Sequence, residues 1–227
     1  MTLVLGIDDA GRGPVIGPMI LAGVLLTKEQ EQILKKSNVK DSKLLAHSQR
    51  IKIHEIIKKN SLTHYITKSY PEEIDNFLKS GTNLNTIEAI RSAEIVNALN
   101  NPKYQIHVMI DCPSPNILNW KNKVIKLITN PSNLTISCEH RADFNHTHVS
   151  AASILAKVAR EEEMDKIREK YKKYGEVGSG YSHDAITVEF LKKNGKILAD
   201  SGIFRKSWST WKNLFPKDKK QKTLSDY

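Results

Sequence analysis

Short apolar runs alternate with amphipathic segments along most of the chain. The apolar runs rich in β-branched residues predict strands, at residues 2–7, 19–26, 62–69, 104–110 and 134–138. Apolar positions at helical spacing predict helices, at residues 27–35, 48–59, 71–78, 85–99, 117–128 and 149–172. Because helices separate most of the strands, and the first two strands lie close enough for a hairpin, the pattern predicts an α/β fold with a mixed β-sheet flanked by helices.

Sequence signals at the helix ends support these bounds. Thr27 and Gln30 form a capping box, and Pro71 suits the first turn of a helix. Asn85, with Glu88 three residues later, is predicted to cap the helix that starts there.

The chain divides into a long core and two shorter stretches. Residues 1–172 contain all the predicted strands and are expected to form the core. Residues 173–215 contain the loop YGEVGSGYSHD and two short helical patterns, at 185–193 and 207–215. They predict a helical C-terminal part packed on the core. The polar stretch PKDKKQKTLSDY, residues 216–227, predicts a flexible basic tail.

The composition fits one globular unit with a polyanionic partner. The 227 residues are 39% hydrophobic, enough for one sizeable core. Lys and Arg number 35 and Asp and Glu 25, which gives a net charge of +10. That charge points first to nucleic acid and second to an anionic membrane. No large aromatic helix face and no apolar run of about 18 residues supports a membrane partner.

Cysteine usage and the N-terminus bear on the compartment. Cys112 and Cys138 could pair once, and nothing in the pattern requires a disulfide. The chain runs from Met1 into a strand-like pattern without a leader sequence. We therefore expect a cytoplasmic protein with both cysteines reduced.

Four aspartates stand where predicted strands end. Asp8 and Asp9 follow the first apolar run in LVLGIDDAGRGP, Asp111 follows YQIHVMI, and Asp143 lies just past another strand. Carboxylates gathered in one region repel one another unless cations lie between them. Mg²⁺ and Mn²⁺ prefer a few carboxylates with water and phosphate oxygens, and two such ions can clamp a phosphodiester during in-line displacement. The sequence therefore indicates a two-metal site.

Other interpretations of this region fit less well. Aspartates in a turn can simply be solvated, and for Asp8 and Asp9 alone that interpretation would be preferred. The glycine spacing in GRGPVIG departs from the dinucleotide-binding fingerprint. The histidines near Asp143 and Cys138 match no closed zinc pattern, and no G-x-S-x-G motif supports covalent catalysis.

Seven sequence blocks follow one another in a recognisable order. They are GIDDAGRGPVIGPM, VKDSKLL, NLNTIE, MIDCP, EHRADFNHTHVSAASILAKVARE, GSGYSHD and RKSW. Together they resemble ribonuclease HII, in its archaeal/eukaryotic-like branch, from Leu3 to about Phe215. The resemblance implies an RNase H-like core that cleaves the RNA strand of RNA/DNA hybrids. It also implies incision of duplex DNA on the 5′ side of an embedded ribonucleotide, leaving 5′-phosphate and 3′-hydroxyl ends.

The resemblance also assigns the acids. Asp8, Asp111 and Asp143 match the family's catalytic metal ligands, and Asp9 stands where the family usually has Glu. The implied cofactors are two Mg²⁺ or Mn²⁺ ions. Because Asp9 is one methylene shorter than Glu, a catalytically weakened hybrid-binding protein is an alternative function. A DNA nuclease on the same core, with no ribose requirement, is another.

Further residues are matched to the substrate. Gly11, Arg12 and Gly13 fall on the turn whose backbone senses the 2′-hydroxyl, and Tyr181 falls on the aromatic residue that packs against the ribose. That hydroxyl separates an RNA sugar from a DNA sugar, and glycines let the main chain approach it closely. Expected phosphate contacts are Lys43, Lys157, Arg160, Lys166, Arg205 and Lys206. For the lysines, a solvated surface position is the alternative.

The final stretch, QKTLSDY, resembles a sliding-clamp-binding pattern. Gln221 is followed by the aliphatic Leu224 and the aromatic Tyr227, and such a tail can fold into a hydrophobic groove. A plain basic tail is the alternative. The expected partners are therefore an RNA/DNA hybrid or a ribonucleotide-containing duplex, with the replication sliding clamp as a second partner. By resemblance the expected assembly is a monomer.

Overall fold

A five-stranded sheet lies at the centre of the computed structural model, which describes residues 2–37, 39 and 47–216. The strands are β1 (Thr2–Ala10), β2 (Met19–Thr27), β3 (Thr63–Ser69), β4 (Gln105–Asp111) and β5 (Leu134–Glu139). Their spatial order is β3-β2-β1-β4-β5. β2 runs antiparallel to β1 and β3, whereas β4 runs parallel to β1 and β5. The predicted α/β fold with a mixed sheet is confirmed.

Helices cover both faces of this sheet. They are α1 (Lys28–Lys36), α2 (His47–Asn60), α3 (Pro71–Lys79), α4 (Leu84–Leu99), α5 (Ile117–Lys126), α6 (Ala142–Asn145), α7 (Thr147–Tyr171), α8 (Ala185–Asn194) and α9 (Ser209–Leu214). Within this described part of the chain, no helix is both long and apolar enough to cross a membrane.

Three local details differ from the sequence prediction. β1 continues to Ala10, so the two neighbouring aspartates lie within the strand and not after it. The cap of α4 is Asn83, whose side chain accepts the Thr86 N–H at 3.0 Å, and the prediction of Asn85 is wrong. Helix α6 has no predicted counterpart, because its four residues are too few to show a helical period.

Two glycines let helices cross the sheet closely. A Cβ at Gly6 would lie 2.2 Å from main-chain atoms at the start of α7, and a Cβ at Gly23 would lie 2.2 Å from Ile95 in α4. α7 and α4 pack on opposite faces, each over its own buried apolar cluster. Because side chains alternate along β1, Asp8 faces α7 and Asp9 faces the side of α4.

The C-terminal segment packs against the connection between β1 and β2. Val15 in that connection accepts the Arg205 N–H and donates its own N–H to Gly180, both at 2.9 Å. A third buried cluster joins Val15 to the second half of α7 and to Phe204 and Trp211. The segment thus holds the β1–β2 connection in place next to the aspartates of β1.

Candidate active site

The four aspartates reach one edge of the sheet from three places in the chain. Parallel pairing sets Ile7 opposite Ile110, so Asp8 and Asp111 are neighbours where β1 and β4 approach their carboxyl ends. Asp143 lies on α6, directly after β5. The N–H of Ala142, next to Asp143, donates to Asp111 Oδ1 at 2.8 Å. We call these four aspartates the acid edge.

Burial and mutual repulsion raise the pKa values of two of these acids. The pKa of Asp8 is well above its ordinary value because of burial and the charges of Asp9 and Asp111. Hydrogen bonds from the Ser153 hydroxyl and from the Asp9 N–H, the latter at 2.8 Å, partly oppose that rise. Burial raises the pKa of Asp9 to about 6, although Arg12 lowers it. Bound cations would therefore stabilise the ionised carboxylates of the acid edge.

Hard divalent ions fit the chemistry of this edge. In residues 2–37, 39 and 47–216, no three His, Cys, Asp or Glu side chains are placed so that they could together hold a metal ion. The donors of the acid edge are nevertheless all carboxylate oxygens on neighbouring elements, and a cation would relieve the repulsion among Asp8, Asp9 and Asp111. Mg²⁺ keeps several waters and takes oxygens from substrate phosphates. An open carboxylate edge, completed by water and substrate, suits such an ion.

The turn beside the acid edge, residues 11–13, is held from behind by Arg205. We call it the glycine turn. The Arg205 side chain is fully buried, and it donates to the carbonyls of Gly11 at 2.6 Å, Arg12 at 2.7 Å and Gly17 at 3.0 Å. Its guanidinium has no access to a substrate phosphate. The expectation of a phosphate contact at Arg205 is therefore wrong, and its role is to hold the turn.

Trp208 supports the same turn. Its indole N–H donates to the Gly13 carbonyl at 2.8 Å, and the Arg205 guanidinium carbon lies 4.8 Å from the Trp208 ring centre. Gly11 has φ +80°, and a Cβ there would lie 2.5 Å from Arg160 Cδ. This backbone conformation and close contact require glycine.

Tyr181 lies next to the glycine turn. A Cβ at Gly13 would lie 3.8 Å from the Tyr181 ring, and the Arg160 guanidinium carbon lies 4.9 Å from that ring's centre. Arg160 also donates to the Ser179 carbonyl at 2.8 Å. The structure thus brings the glycine turn, Tyr181 and Arg160 together around one cleft. Its volume is about 270 Å³.

The expected phosphate-binding lysines lie in different places. Lys157 lines the cleft, and its Nζ donates to Ser153 Oγ at 2.8 Å. Lys166 pairs with Glu163 at 2.7 Å outside the lining of that cleft. Lys206 pairs with Asp200 at 3.3 Å and lines a separate cavity, and its expected contact with a phosphate stays a prediction. Lys43 lies outside the described residues, as do Gln221, Leu224 and Tyr227.

Two residues of this region are absent from the sequence-based set. Arg50 of α2 lines the cleft with Lys157. Glu88 of α4 is 2% exposed, and its Oε1 accepts the Arg12 Nε–H at 2.8 Å. Burial and the charge of Asp9 raise the pKa of Glu88 to about 8, despite the opposing effect of Arg12. The sequence does contain a signal for Glu88, because it is an acid on the apolar face of a predicted helix and positions on that face are buried.

Comparisons with known proteins bear on the family of this chain. A family model described as Ribonuclease HII matches residues 5–211. Ribonuclease HII of Methanococcus maripaludis strain C6 is 40% identical over 222 residues, covering 93% of this chain and 87% of that protein.

Solved structures show the same likeness. Ribonuclease H2 from Pyrococcus horikoshii OT3 superposes with a TM-score of 0.83 at 32% identity, over 93% of this chain and 96% of that one. The chain matched in the PCNA:RNase HII complex from Archaeoglobus fulgidus gives a TM-score of 0.78 at 35% identity, over 99% of this chain and 100% of that one.

Proposed function

This chain belongs to the ribonuclease HII family. We propose that it cleaves the RNA strand of RNA/DNA hybrids and incises duplex DNA on the 5′ side of an embedded ribonucleotide. It is a type 2 ribonuclease H, an endonuclease. The observation that carries the proposal is the placement of Asp8 beside Asp111, next to a glycine turn held by buried hydrogen bonds. Carboxylates for cations and a backbone for a ribose are thus neighbours, and Asp9 lines the cleft beside the turn.

The acids would hold two divalent ions, Mg²⁺ or Mn²⁺. When bound, such ions supply Lewis acidity for the attacking water and the leaving 3′ oxygen. The ligands would be Asp8, Asp9, Asp111 and Asp143. Ser153 orients Asp8 by a hydrogen bond and in turn accepts one from Lys157, and the Ala142 N–H orients Asp111. Lys157 also lowers the pKa of Asp9 and so favours its ionised form.

Substrate recognition would rest on the glycine turn and Tyr181. The carbonyls of Gly11, Arg12 and Gly13 already accept hydrogen bonds from Arg205 and Trp208. The turn therefore offers a fixed backbone to a 2′-hydroxyl, and the ring of Tyr181 faces the same space for the sugar. Lys157 and Arg50, which line the cleft, would contact the phosphates that flank the cut.

The decisive test compares two duplexes in Mg²⁺ and in EDTA. One carries a single ribonucleotide, and its twin is all-deoxy. We expect 5′-side incision of the first duplex only, and only with the metal. Incision of both duplexes would instead favour a DNA nuclease without ribose requirement. Tight binding of a hybrid with no cleavage in Mg²⁺ or Mn²⁺ would favour the hybrid-binding alternative.

The shorter acid at position 9 has its own test. Asp9→Glu restores the length usual in the family and should keep or raise the cleavage rate, with a changed ratio of Mg²⁺ to Mn²⁺ activity. Asp8→Asn is the matched loss-of-function variant. An equal collapse of both variants would show that Asp9 is not a metal ligand of the expected kind.

The tail is proposed to bind a sliding clamp. The match to a chain solved as a PCNA:RNase HII complex supports this assignment. Deleting residues 219–227 should abolish clamp binding and leave cleavage of a free oligonucleotide unchanged. Equal clamp affinity of the full-length and truncated proteins would leave only a plain basic tail.

A further inference from the structure

Glu88 is a buried acid that the catalytic proposal does not use. Its side chain is 2% exposed, and its Oε2 has no hydrogen-bond partner among the residues that the structure describes. Burying a carboxyl group with one oxygen unpaired costs free energy. A residue kept only for packing would be better served by an apolar side chain of similar volume. The cost indicates a role for the carboxyl group itself.

Within the described part of the chain, the Glu88 carboxyl accepts its hydrogen bond from the glycine turn. Glu88 Oε1 accepts the Arg12 Nε–H at 2.8 Å. The side-chain oxygen of Asn85, three residues earlier on α4, accepts from Arg12 Nη2. The guanidinium of Arg12 is thus held by two side chains of one helix, although the Arg12 side chain as a whole is 38% exposed.

Helix α4 is itself fixed at this point. The indole N–H of Trp120 in α5 donates to the Asn85 carbonyl at 2.7 Å, and the neighbouring Ile87 is fully buried. Glu88 therefore sits on a rigid support. Through it the Arg12 side chain is tied to the sheet's α4 face, while Arg205 holds the Arg12 carbonyl from the other side at 2.7 Å.

The tie also fixes the position of the Arg12 charge relative to the acid edge. The charge of Arg12 acts on Asp9 and lowers its pKa, so the guanidinium and that carboxylate attract each other. Without an acceptor on α4, this attraction would draw Arg12 toward Asp9 and pull the glycine turn out of place.

From these contacts we propose that Glu88 is a positioning residue. By holding the Arg12 guanidinium it sets the glycine turn and thereby the preference for ribose over deoxyribose at the cleavage junction. This inference rests on the proposed function, because the proposed function assigns recognition of the ribose to the glycine turn. The inference goes further, since it names the side chain on which the preference depends.

The test measures how strongly the full-length protein prefers ribose. In EDTA, fluorescence anisotropy gives the Kd for a duplex with one ribonucleotide and for its all-deoxy twin, and their ratio is the preference. Glu88→Leu keeps the volume and removes the acceptor, so the preference should fall about tenfold, the value of one charged hydrogen bond. The melting temperature should not fall, because an unpaired buried oxygen is removed. Glu88→Gln retains a carbonyl acceptor and should stay within about threefold of wild type.

A second glutamate on the same helix supplies the control. Glu94 pairs with Arg91 at 2.6 Å, outside the lining of the cleft, and Glu94→Leu should leave the preference unchanged. In an Arg12→Ala background, Glu88→Leu should have no further effect, because both changes remove the same tie. If Glu88→Leu does not fold, Asn85→Ala removes the other tie to Arg12 and should lower the preference about threefold.

Two outcomes would overturn the inference while the proposed function survives. One is a folded Glu88→Leu protein, or in its place Asn85→Ala, with the wild-type preference. The other is that Glu88→Leu lowers the preference as much in the Arg12→Ala background as it does in the otherwise wild-type protein. A wild-type protein that neither prefers nor incises the ribonucleotide duplex would instead overturn the proposed function, and the role of Glu88 with it.

Discussion

The acid edge and the glycine turn are neighbours, with Asp9 of the acid edge lining the cleft beside the turn, yet they are stabilised in opposite ways. The acid edge gathers like charges, and the pKa values of Asp8 and Asp9 are raised by burial and repulsion. The glycine turn has its carbonyls occupied by Arg205 and Trp208. The acid edge needs a bound ligand to offset its repulsion, whereas the hydrogen bonds of the glycine turn are made without a ligand.

Under the proposed function, the difference separates catalysis from recognition. A region that stores repulsion gains stability when a charge is removed, so the proposed catalytic acids can be replaced without unfolding. A region held by a buried arginine loses stability when that arginine is removed, because its carbonyl partners stay buried. Mutations in the two regions should therefore report on activity and on folding separately.

The largest expected effect is on activity at the acid edge. Asp111→Asn removes a charge but keeps an oxygen that can accept the Ala142 N–H. We expect cleavage to fall by about 10³-fold or more, which is about 4 kcal/mol of transition-state stabilisation. The free energy of unfolding should stay equal or rise by up to about 1 kcal/mol, because repulsion with Asp8 is relieved. Steady-state kinetics and urea unfolding measure the two quantities. A large loss of stability would contradict the picture of a strained edge.

The second effect is the reverse, a loss of stability at the glycine turn. Arg205→Met leaves the carbonyls of Gly11, Arg12 and Gly17 without their donor. We expect a cost of about 3 kcal/mol in the free energy of unfolding, measured by urea denaturation. Lys206→Met is the matched neighbour, because Lys206 pairs with the exposed Asp200 at 3.3 Å and donates to none of the turn's carbonyls in the described part of the chain. It should change stability by less than about 0.5 kcal/mol, and similar losses in both variants would refute the role of Arg205.

The acid edge was readable from sequence, because local patterns mark it. Apolar periodicity places β1 and β4, and the acids stand near the ends of those strands. The parallel pairing of β1 with β4, which the structure supplies, then brings Asp8 and Asp111 together. The bounds of short elements were not readable, since the four-residue α6 shows no period.

The support of the glycine turn was not readable. Arg205 binds a carbonyl 194 positions earlier in the chain, and main-chain carbonyls leave no mark in a sequence. A basic residue in a basic protein is more simply interpreted as a phosphate contact. Glu88 was closer to being found, because its position on the apolar face of α4 implies burial.

A third and smaller effect is the response to metal. If the acid edge is incomplete without cations, Mg²⁺ should stabilise the folded protein by about 1.4 kcal/mol at ten times its Kd. For a chain of this length that raises the melting temperature by about 3–6 °C. Asp111→Asn should lose this response, and Lys206→Met should keep it. An equal rise with NaCl at matched ionic strength would show a general salt effect and not binding at the acid edge.

The smallest effect concerns the loop that carries Tyr181. Asp184 accepts the N–H and hydroxyl of Ser179 at 2.6 and 2.7 Å and the Ile186 N–H at 3.0 Å, and these bonds lower its pKa to about 2. A carboxyl group whose pKa is lower in the folded than in the unfolded protein stabilises the fold at pH values above its unfolded pKa of about 3.9. That stabilisation disappears as the pH falls toward 2. Because Asp184 is only partly buried, we expect at most about 1 kcal/mol. The difference in urea unfolding between wild type and Asp184→Asn should be full above pH 5 and shrink below pH 4. Asp200→Asn, at a fully exposed side chain, should show no such trend. A pH-independent difference for Asp184→Asn would mean that its charge does not hold this loop.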